Sequence, residues 1–338
     1  MRRFRSLVLL LTLFLPLCVH AELEIRFLDV GDADAALVQC DGHAMLIDGG
    51  NKSDSSMMYA ILQQAGITHL DVVVATHAHA DHIGGIPGAL NHATASLVLC
   101  PVIKSDDAAF ADFAKYANSR GTGITVPQTG DVYPLGDASI TVLGVNSSDG
   151  VNNSSIIFRL TYGQVSFLFT GDAEADAEWA LVVSGQDLSA DILKIAHHGS
   201  DTSTTQAFLN AVQPTFAVIS VAQNSDTGNP SPAVLQRLHD NQTVIYRTDL
   251  HKNITFSTDG TYICVTIEKS RFRFINGHTD ASVNLEDVSY IVNTSTGKFH
   301  LTNCGHISRI KGKNYAAYYG TRDDLLQFGY TPCQICNP

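Results

Sequence analysis

The amino-acid sequence predicts an α/β fold, from an apolar strand that ends in a histidine cluster and from the order of apolar segments along the chain. Residues 70–75 form an aliphatic run typical of a buried β-strand. Similar short segments alternate with stretches of helical character on both sides of it. A chain of 338 residues with 45% hydrophobic content can bury a large core, so we expect one large domain and one small one.

The two halves of the large domain show the same order of elements. In the first half, the patterns predict strands near 24–28, 35–40, 43–47 and 72–75 and a helix near 55–65. In the second half, they predict strands near 139–143, 156–162, 165–170, 192–195 and 216–220 and helices near 176–183 and 204–211.

Three imidazoles and a carboxylate occupy six positions directly after the strand at 70–75. They are His77, His79, Asp81 and His82. Because α/β sheets bind ligands at the C-terminal ends of their strands, we expect a metal site on this loop. His77 and His79 would bind one ion, and Asp81 and His82 would face a second. Two divalent ions roughly 3.5–4 Å apart can activate a water molecule and clamp a phosphoryl or acyl oxygen.

Further candidate ligands follow two strands of the second half. Asp172 ends an apolar strand just before a predicted helix, so its carboxylate would lie at the same sheet edge, where it could also cap that helix. His197 and His198 close the next strand before Gly199. One of the two histidines would bind metal and the other would face the substrate.

These motifs resemble those of the metallo-β-lactamase fold superfamily, and in particular the hydrolase domain of the ComEC family of competence DNA-uptake channels. The resemblance implies an αββα sandwich with the metals at one sheet edge and Asp172 bridging them. It favours His198 as the ligand, because a ligand histidine followed by glycine is the commoner family pattern, and leaves His197 to contact or protonate the leaving group. The catalytic residues would be Asp81, Asp172 and His197. The resemblance covers nearly all of residues 22–267 and rests on segments 27–35, 44–50, 77–85, 167–174 and 193–200.

The sequence departs from the β-lactamases of this superfamily at their third histidine. His92 comes too early to fill that place, which Asn153, a weak ligand at best, would occupy instead. A β-lactamase activity is therefore not expected. An oxygen-rich site suits manganese as well as zinc, so we expect two divalent ions of either metal. Asp34 and Asp48 would hydrogen-bond to the ligand imidazoles and orient them.

The first 21 residues have the pattern of a secretory signal peptide. A basic start, an apolar run and a small-residue cleavage site ending at Ala21 predict export, so the mature protein would be secreted or periplasmic. The alternative is a retained membrane anchor, for which the apolar run is short.

After a polar linker at residues 268–287, the C-terminal residues 288–338 show a second metal pattern. It resembles the small zinc domain of the Ada DNA-repair protein, and a short module of this kind needs a metal to fold. The alternative is a disulfide among these cysteines, which an exported chain permits. Cys40 and Cys100 could also pair. The expected ligands of one structural zinc are His300, Cys304, Cys333 and Cys336, with His306 in reserve.

The charge of the chain is unevenly distributed. The formal net charge of −12 opposes non-specific binding to nucleic acid, since phosphate affinity comes mainly from lysine and arginine. Residues 293–338 differ, because they carry five basic and two acidic side chains, a net charge of +3. Such a basic zinc module fits a role in holding DNA, although a solvated zinc domain also has this composition.

Together these features predict an exported metal-dependent phosphodiester hydrolase, most consistent with a deoxyribonuclease acting on extracellular or incoming DNA. One alternative is a phosphodiesterase for a small or cell-wall substrate, such as phosphorylcholine on teichoic acid. Another is a non-catalytic DNA-binding accessory, against which the complete set of Asp81, His82, Asp172 and His198 speaks.

Overall fold

Two seven-stranded sheets form most of the protein in this computed structural model. The structure describes residues 23–120, 123–145, 150–223, 225–268, 272–274, 289–293, 295–311, 314–318, 322–327 and 330–338. The predicted signal peptide therefore lies outside the described residues. The strands of the two large sheets are β1 (Leu23–Phe27), β2 (Ala36–Cys40), β3 (His43–Ile47), β4 (His69–Val74), β5 (Thr94–Leu99), β6 (Val132–Leu135), β7 (Ala138–Gly144), β8 (Ile157–Tyr162), β9 (Val165–Phe169), β10 (Ile192–Lys194), β11 (Phe216–Ile219), β12 (Val244–Arg247), β13 (Ile254–Thr258) and β14 (Ile263–Ile267).

Each large sheet mixes antiparallel and parallel pairing. The first has the order β14-β13-β1-β2-β3-β4-β5 and the second the order β12-β11-β10-β9-β8-β7-β6. Strands β3 to β5 run parallel, as do strands β9 to β12. Since parallel strands end at one edge, the loops after β4, β9, β10, β11 and β12 can meet there.

Helices cover the outer faces of both sheets. The helices are α1 (Ser55–Gln64), α2 (Ala80–Ile83), α3 (Ile86–His92), α4 (Ala108–Ser119), α5 (Gly150–Asn153), α6 (Ala175–Ser184), α7 (Gln206–Val212), α8 (Pro232–Asp240), α9 (Thr248–His251) and α10 (Arg322–Gln327), with 3-10 turns at Lys52–Asp54, Ala196–Gly199 and Ile307–Arg309. Helices α4, α7 and α8 start at side-chain caps, in which Asp107, Thr205 and Ser231 accept hydrogen bonds from backbone N–H groups.

Three apolar clusters hold these layers together. The central one packs the inner faces of both sheets against each other and includes Phe27, Phe158 and Phe167. A second cluster joins the first sheet to α1, α3 and α4, and a third joins the second sheet to α6, α7 and α8. The fold is thus the expected αββα sandwich. Because side chains alternate along each strand, one face of each sheet packs against the other sheet and the opposite face lies beneath helices.

A third sheet of five strands lies in the C-terminal part of the chain, in the order β15-β18-β16-β17-β19. Two small apolar clusters pack against it, around Ile291 and Phe299. Strand β15 falls inside the segment for which the sequence predicts a linker, so the C-terminal sheet starts earlier than residue 288. The strands are β15 (Phe272–Phe274), β16 (Tyr290–Asn293), β17 (Lys298–His300), β18 (Tyr315–Tyr318) and β19 (Thr331–Pro332).

Within the described part of the chain, no helix has the length and apolar character to cross a bilayer.

Candidate metal centre

The loop after β4 brings its histidines into a buried cleft. His77 and His82 are fully buried, and the ring centroids of these two side chains lie 4.0 Å apart. Nε2 of His77 lies 3.0 Å from Nδ1 of His79. Helix α2 starts at Ala80 and turns Asp81 and His82 toward the second sheet. The cluster is compact because only residues 75–79 join the end of β4 to the first turn of α2.

Asp172 lies at the end of β9 and meets this loop from the other half of the domain. Its Oδ2 is 3.3 Å from Nε2 of His82 and 3.8 Å from Nε2 of both His77 and His198. Gly171 precedes it with a φ of +50°, and a Cβ there would come within 2.8 Å of Ser155 Oγ. Only glycine fits this backbone position without strain. The resulting turn directs the carboxylate to the centre of the imidazoles.

The loop after β10 supplies His198 from a strained backbone. His197 and His198 both have positive φ, at 50° and 52°, a conformation that costs a non-glycine residue free energy and is found at functional sites. The Nδ1 atom of His198 lies 3.1 Å from the carbonyl oxygen of Ser220, and Nε2 lies 3.3 Å from Oδ2 of Asp81. The loop thus points His198 at the same centre as Asp81.

Two overlapping groups of potential ligands result. Asp81, His82, Asp172 and His198 place one ligand atom each within 4.8 Å of one another. His77, His79 and Asp172 form the neighbouring group. Nε2 of His77 lies 3.0 Å from Nδ1 of His79 and 3.8 Å from Oδ2 of Asp172. Asp172 belongs to both groups, as the sequence resemblance implies for a bridging ligand.

The donor set fits divalent metal ions. Among the described residues, His82 Nε2 and Asp172 Oδ1 are buried side-chain atoms without a hydrogen-bond partner, and both belong to residues of this site. A buried polar atom without a partner costs about 1–3 kcal/mol. Neutral imidazole and carboxylate are the ligand types that zinc and manganese bind. The residues present therefore fit the ions that the sequence predicts.

Asp48 forms hydrogen bonds that stabilise the loop carrying His77 and His82. Its Oδ2 lies 2.9 Å from Nδ1 of His82 and accepts a hydrogen bond from the Thr76 hydroxyl, while Oδ1 accepts one from the Thr76 backbone N–H. The imidazole of His82 is thereby fixed with Nε2 toward the cleft. This is the arrangement in which a carboxylate sets the tautomer and direction of a ligand histidine.

Asp34 has a different partner from the one expected. Its Oδ2 pairs with Nζ of Lys194 at 2.8 Å, both side chains being almost fully buried, while its Oδ1 lies 3.7 Å from Nδ1 of His198. Lys194 also donates a hydrogen bond to the carbonyl oxygen of Ile195. The ion pair links the loop after β1 to the strand that carries His198.

The electrostatics of the cleft depend on burial and on mutual charge. Burial tends to lower the pKa of His82, but the carboxylates of Asp172 and Asp48 outweigh it and hold that pKa well above its usual value. For His77, burial and the neighbouring His82 outweigh the carboxylates of Asp172 and Asp81, so its pKa lies well below the ordinary range. For Asp81, burial is outweighed by the His198 hydrogen bond and by His82, and its pKa falls to about 2. Asp81 is therefore a carboxylate at neutral pH.

His197 lies apart from the ligand groups. Its side chain is 29% exposed, and Nδ1 lies 3.5 Å from Oε1 of Glu174 and 3.3 Å from the hydroxyl of Thr202. Thr202 in turn donates a hydrogen bond to Glu174 Oε1 at 3.2 Å. These contacts fix the ring at the rim of the cleft.

Asn153 is buried at the end of α5, and its carbonyl oxygen accepts a hydrogen bond from the Glu174 backbone N–H at 2.9 Å. That bond ties α5 to the loop carrying Asp172 and Glu174. In this arrangement Asn153 positions the ligand loop instead of offering its oxygen to the cleft.

The C-terminal cluster brings together the four residues expected to bind a structural zinc. His300, Cys304, Cys333 and Cys336 place one ligand atom each within 4.8 Å of one another. Nδ1 of His300 lies 3.6 Å from the Cys304 sulfur. Two ligands come from β17 and the turn after it, and two from the turn after β19. This set of three thiols and one imidazole could hold a metal ion and matches that of tetrahedral structural zinc sites.

The described cysteines are all free thiols. Cys40 and Cys100 are buried, and burial raises the pKa of each thiol to about 12. The structure thus contains neither a Cys40–Cys100 bridge nor a disulfide in the C-terminal cluster.

Sequence reasoning did not identify Lys194, Glu174 or Thr202 as parts of this site. Lys194 is the last residue of β10, the apolar strand that leads to the histidine pair, and a charged residue in such a strand is a usable signal of a buried partner. Glu174 and Thr202 are ordinary helix-start and loop residues in sequence. Only the folded backbone brings them to His197.

The profile of the metallo-beta-lactamase superfamily matches residues 28–223, and the chain belongs to this superfamily. Its members are in general metal-dependent hydrolases. ComE operon protein 3 of Bacillus subtilis (strain 168) is 29% identical over 264 residues, covering 72% of this chain and 34% of that protein. Competence protein ComA of Neisseria gonorrhoeae is 26% identical over 242 residues, covering 70% and 32%.

These relatives place the chain in the ComEC-type competence branch of the superfamily. The chain spans about a third of the length of these curated relatives. Among solved structures, the metallo-beta-lactamase fold protein YhfI from Bacillus subtilis aligns with 70% of this chain and 99% of its own, at 14% identity and a TM-score of 0.47.

Proposed function

We propose that this protein is an exported phosphodiesterase that uses two divalent metal ions, zinc or manganese, and that its substrate is DNA. The observation that carries the proposal is the convergence of His77, His82 and His198 on the carboxylates of Asp81 and Asp172, with His79 beside His77. Bound ions would supply an activated water and neutralise charge on the phosphoryl oxygens.

The protein side chains have separate tasks in this proposal. Asp172 holds both ligand groups together at one carboxylate. Asp48 fixes the direction of His82 through its 2.9 Å contact with Nδ1. His197 contacts the leaving oxygen, because Glu174 and Thr202 engage its Nδ1 and leave Nε2 at the rim of the cleft. A proton held at that Nε2 can pass to the leaving group.

DNA is favoured as the substrate by the competence proteins among the relatives. Export is favoured by the signal pattern of residues 1–21, and DNA outside the cell would then be the accessible polymer. A zinc-bound C-terminal module of basic character adds positive charge that a polyanion requires.

A small or cell-wall phosphodiester is the second candidate, and the charge of the catalytic domain favours it. Residues 22–267 contain 27 acidic and 10 basic side chains, a net charge of −17. This charge repels a polyanion but would attract a substrate with a cationic group, such as phosphorylcholine.

The two candidates are separated by a substrate panel. Metal-loaded protein is incubated with plasmid, single-stranded DNA, RNA, bis-p-nitrophenyl phosphate and a phosphorylcholine ester. The proposal expects metal-dependent cleavage of DNA and of the small aryl diester. If the phosphorylcholine ester is hydrolysed while DNA stays intact, the second candidate substrate replaces DNA. If no diester is hydrolysed, both candidates are rejected.

A further inference from the structure

The C-terminal module is joined to the catalytic domain at the edge that carries the metal ligands. In the first sheet, Phe27 pairs with Ile254, and Ile254 pairs with Ile267. The chain after Phe27 leads to Asp34, so the ends of β1 and β14 share the metal edge. Glu268 follows directly, and its N–H donates a hydrogen bond to Asn253 there at 3.0 Å.

The C-terminal sheet starts close to this edge along the chain, since only residues 269–271 separate Glu268 from Phe272 of β15, and charged residues of the same edge act on Tyr330 near the end of the chain. Burial raises the pKa of Tyr330, while nearby Arg247 lowers it and Asp249 raises it. Arg247 ends β12, which runs parallel to the strands that lead to Asp172 and His198. Tyr330 therefore lies beside the C-terminal ends of these strands.

This arrangement brings Lys298 of the module toward the edge. Thr331, next to Tyr330, pairs in register with Lys298 and donates its N–H to Gly297. Lys298 lies on the same face of β17 as His300, since alternate strand residues share a face. We call Lys298, Arg309 and Lys311 the basic rim of the zinc cluster. All three are exposed, and no carboxylate in the described part of the chain forms an ion pair with them.

We infer that the basic rim holds the phosphate backbone of a DNA strand beside the metal centre, so that the module supplies the polymer affinity that the acidic catalytic domain lacks. This inference rests on the proposed function and extends it to a defined binding surface. Unpaired lysine and arginine side chains gain binding free energy by displacing counterions from phosphates. The position of Lys298 near the metal edge would let a held strand reach the catalytic cleft.

The test compares two variants of equal charge change in the full-length, zinc-loaded protein. Lys298→Glu alters the basic rim. Lys115→Glu is the matched control, because Lys115 is exposed on α4, which follows β5 at the end of the first sheet farthest from β14. A fluorescent single-stranded oligonucleotide is titrated into each variant in the Asp81→Ala background, so that binding is read without cleavage.

We expect Lys298→Glu to weaken oligonucleotide binding roughly threefold to tenfold. The slope of the logarithm of the binding constant against the logarithm of the salt concentration should become shallower by about 0.7. The control should bind as its parent does. In the background with Asp81 intact, the ratio of DNA turnover to bis-p-nitrophenyl phosphate turnover should fall for Lys298→Glu alone.

Equal binding by both variants, or no oligonucleotide binding by the parent, would overturn the inference. Either result could coexist with hydrolysis of the small diester, which would leave the proposed phosphodiesterase in place. Conversely, oligonucleotide binding could depend on salt and be weakened only by Lys298→Glu while no diester is hydrolysed. That result would support the inference and contradict only the proposed function.

Discussion

At the scale of single residues, the candidate centre is defined by carboxylates that each serve a different purpose. Asp172 approaches three imidazoles, Asp48 fixes one imidazole from behind, and Asp34 neutralises Lys194. The metal loop at 77–82 could be predicted from sequence because its ligands are neighbours in the chain. The Lys194–Asp34 pair could not, because 160 residues separate two charges that meet only in the folded sandwich.

Replacing Asp81 by alanine should remove one metal ligand and most activity. We expect kcat on bis-p-nitrophenyl phosphate to fall by about 10³-fold, equivalent to ~4 kcal/mol of barrier, with the fold retained by circular dichroism. His79→Ala should behave similarly through the other ligand group. Asp137→Ala, an exposed change in the turn between β6 and β7, is the control. Wild-type activity in Asp81→Ala would show that the site is elsewhere.

The adjacent histidines should separate metal binding from turnover. His198→Ala should lower the metal content, since Nε2 of His198 lies within the ligand group, whereas His197→Ala should keep the metal and reduce kcat. Elemental analysis of the two purified variants gives the answer. Equal metal loss in both would contradict this division of roles.

At the scale of elements, the site is built where parallel strands end. Helical and strand periodicity predicted β1 to β4 and β7 to β11, since each has an apolar pattern bounded by turn residues. Strand β15 was missed because three residues within a polar stretch carry too little pattern, and its existence depends on pairing with β18, more than 40 residues later. Helix α9 was also missed, because a four-residue turn is stabilised by its contacts and not by its own propensity.

The buried His251 of α9 should make the protein acid-sensitive. Burial lowers its pKa from 6.5 to about 4, and its Nδ1 lies 2.9 Å from the Arg247 backbone N–H. Because the unfolded chain takes up a proton near pH 6.5 and the folded one only near pH 4, stability is fully present above pH 6.5. It should fall by roughly 3 kcal/mol between pH 6.5 and 4.

Urea unfolding of wild type and His251→Asn over this pH range checks the prediction. The asparagine oxygen can accept the Arg247 N–H but does not titrate. The variant should therefore show a shallower loss of unfolding free energy on acidification. Parallel pH profiles for the two proteins would contradict a buried neutral His251.

The C-terminal cluster should bind one structural zinc. A module with two small apolar clusters has little core of its own, so metal binding should contribute its folding free energy. Cys333→Ser should remove one zinc and expose the module to proteolysis, while Cys264→Ser, at an exposed cysteine outside the cluster, should do neither. Mass spectrometry of unreduced protein showing disulfides and no zinc would contradict the metal assignment.

At the scale of the whole molecule, the acidic sandwich ends at the edge that carries the candidate metal ligands, and the basic C-terminal sheet starts a few residues later in the chain. This division of charge could be predicted from composition, but the edge at which the C-terminal sheet starts could not, because it depends on where β14 ends. The central claim is that the sandwich is a two-metal phosphodiesterase.

The most direct test of that claim is a metal titration of chelator-treated protein with bis-p-nitrophenyl phosphate as the substrate. Activity should rise from near zero and level off after two equivalents of Mn²⁺ or Zn²⁺ beyond those held by the C-terminal module, and Asp81→Ala should stay inactive throughout. Hydrolysis that is independent of added metal, or absent at every metal ratio, would contradict the account.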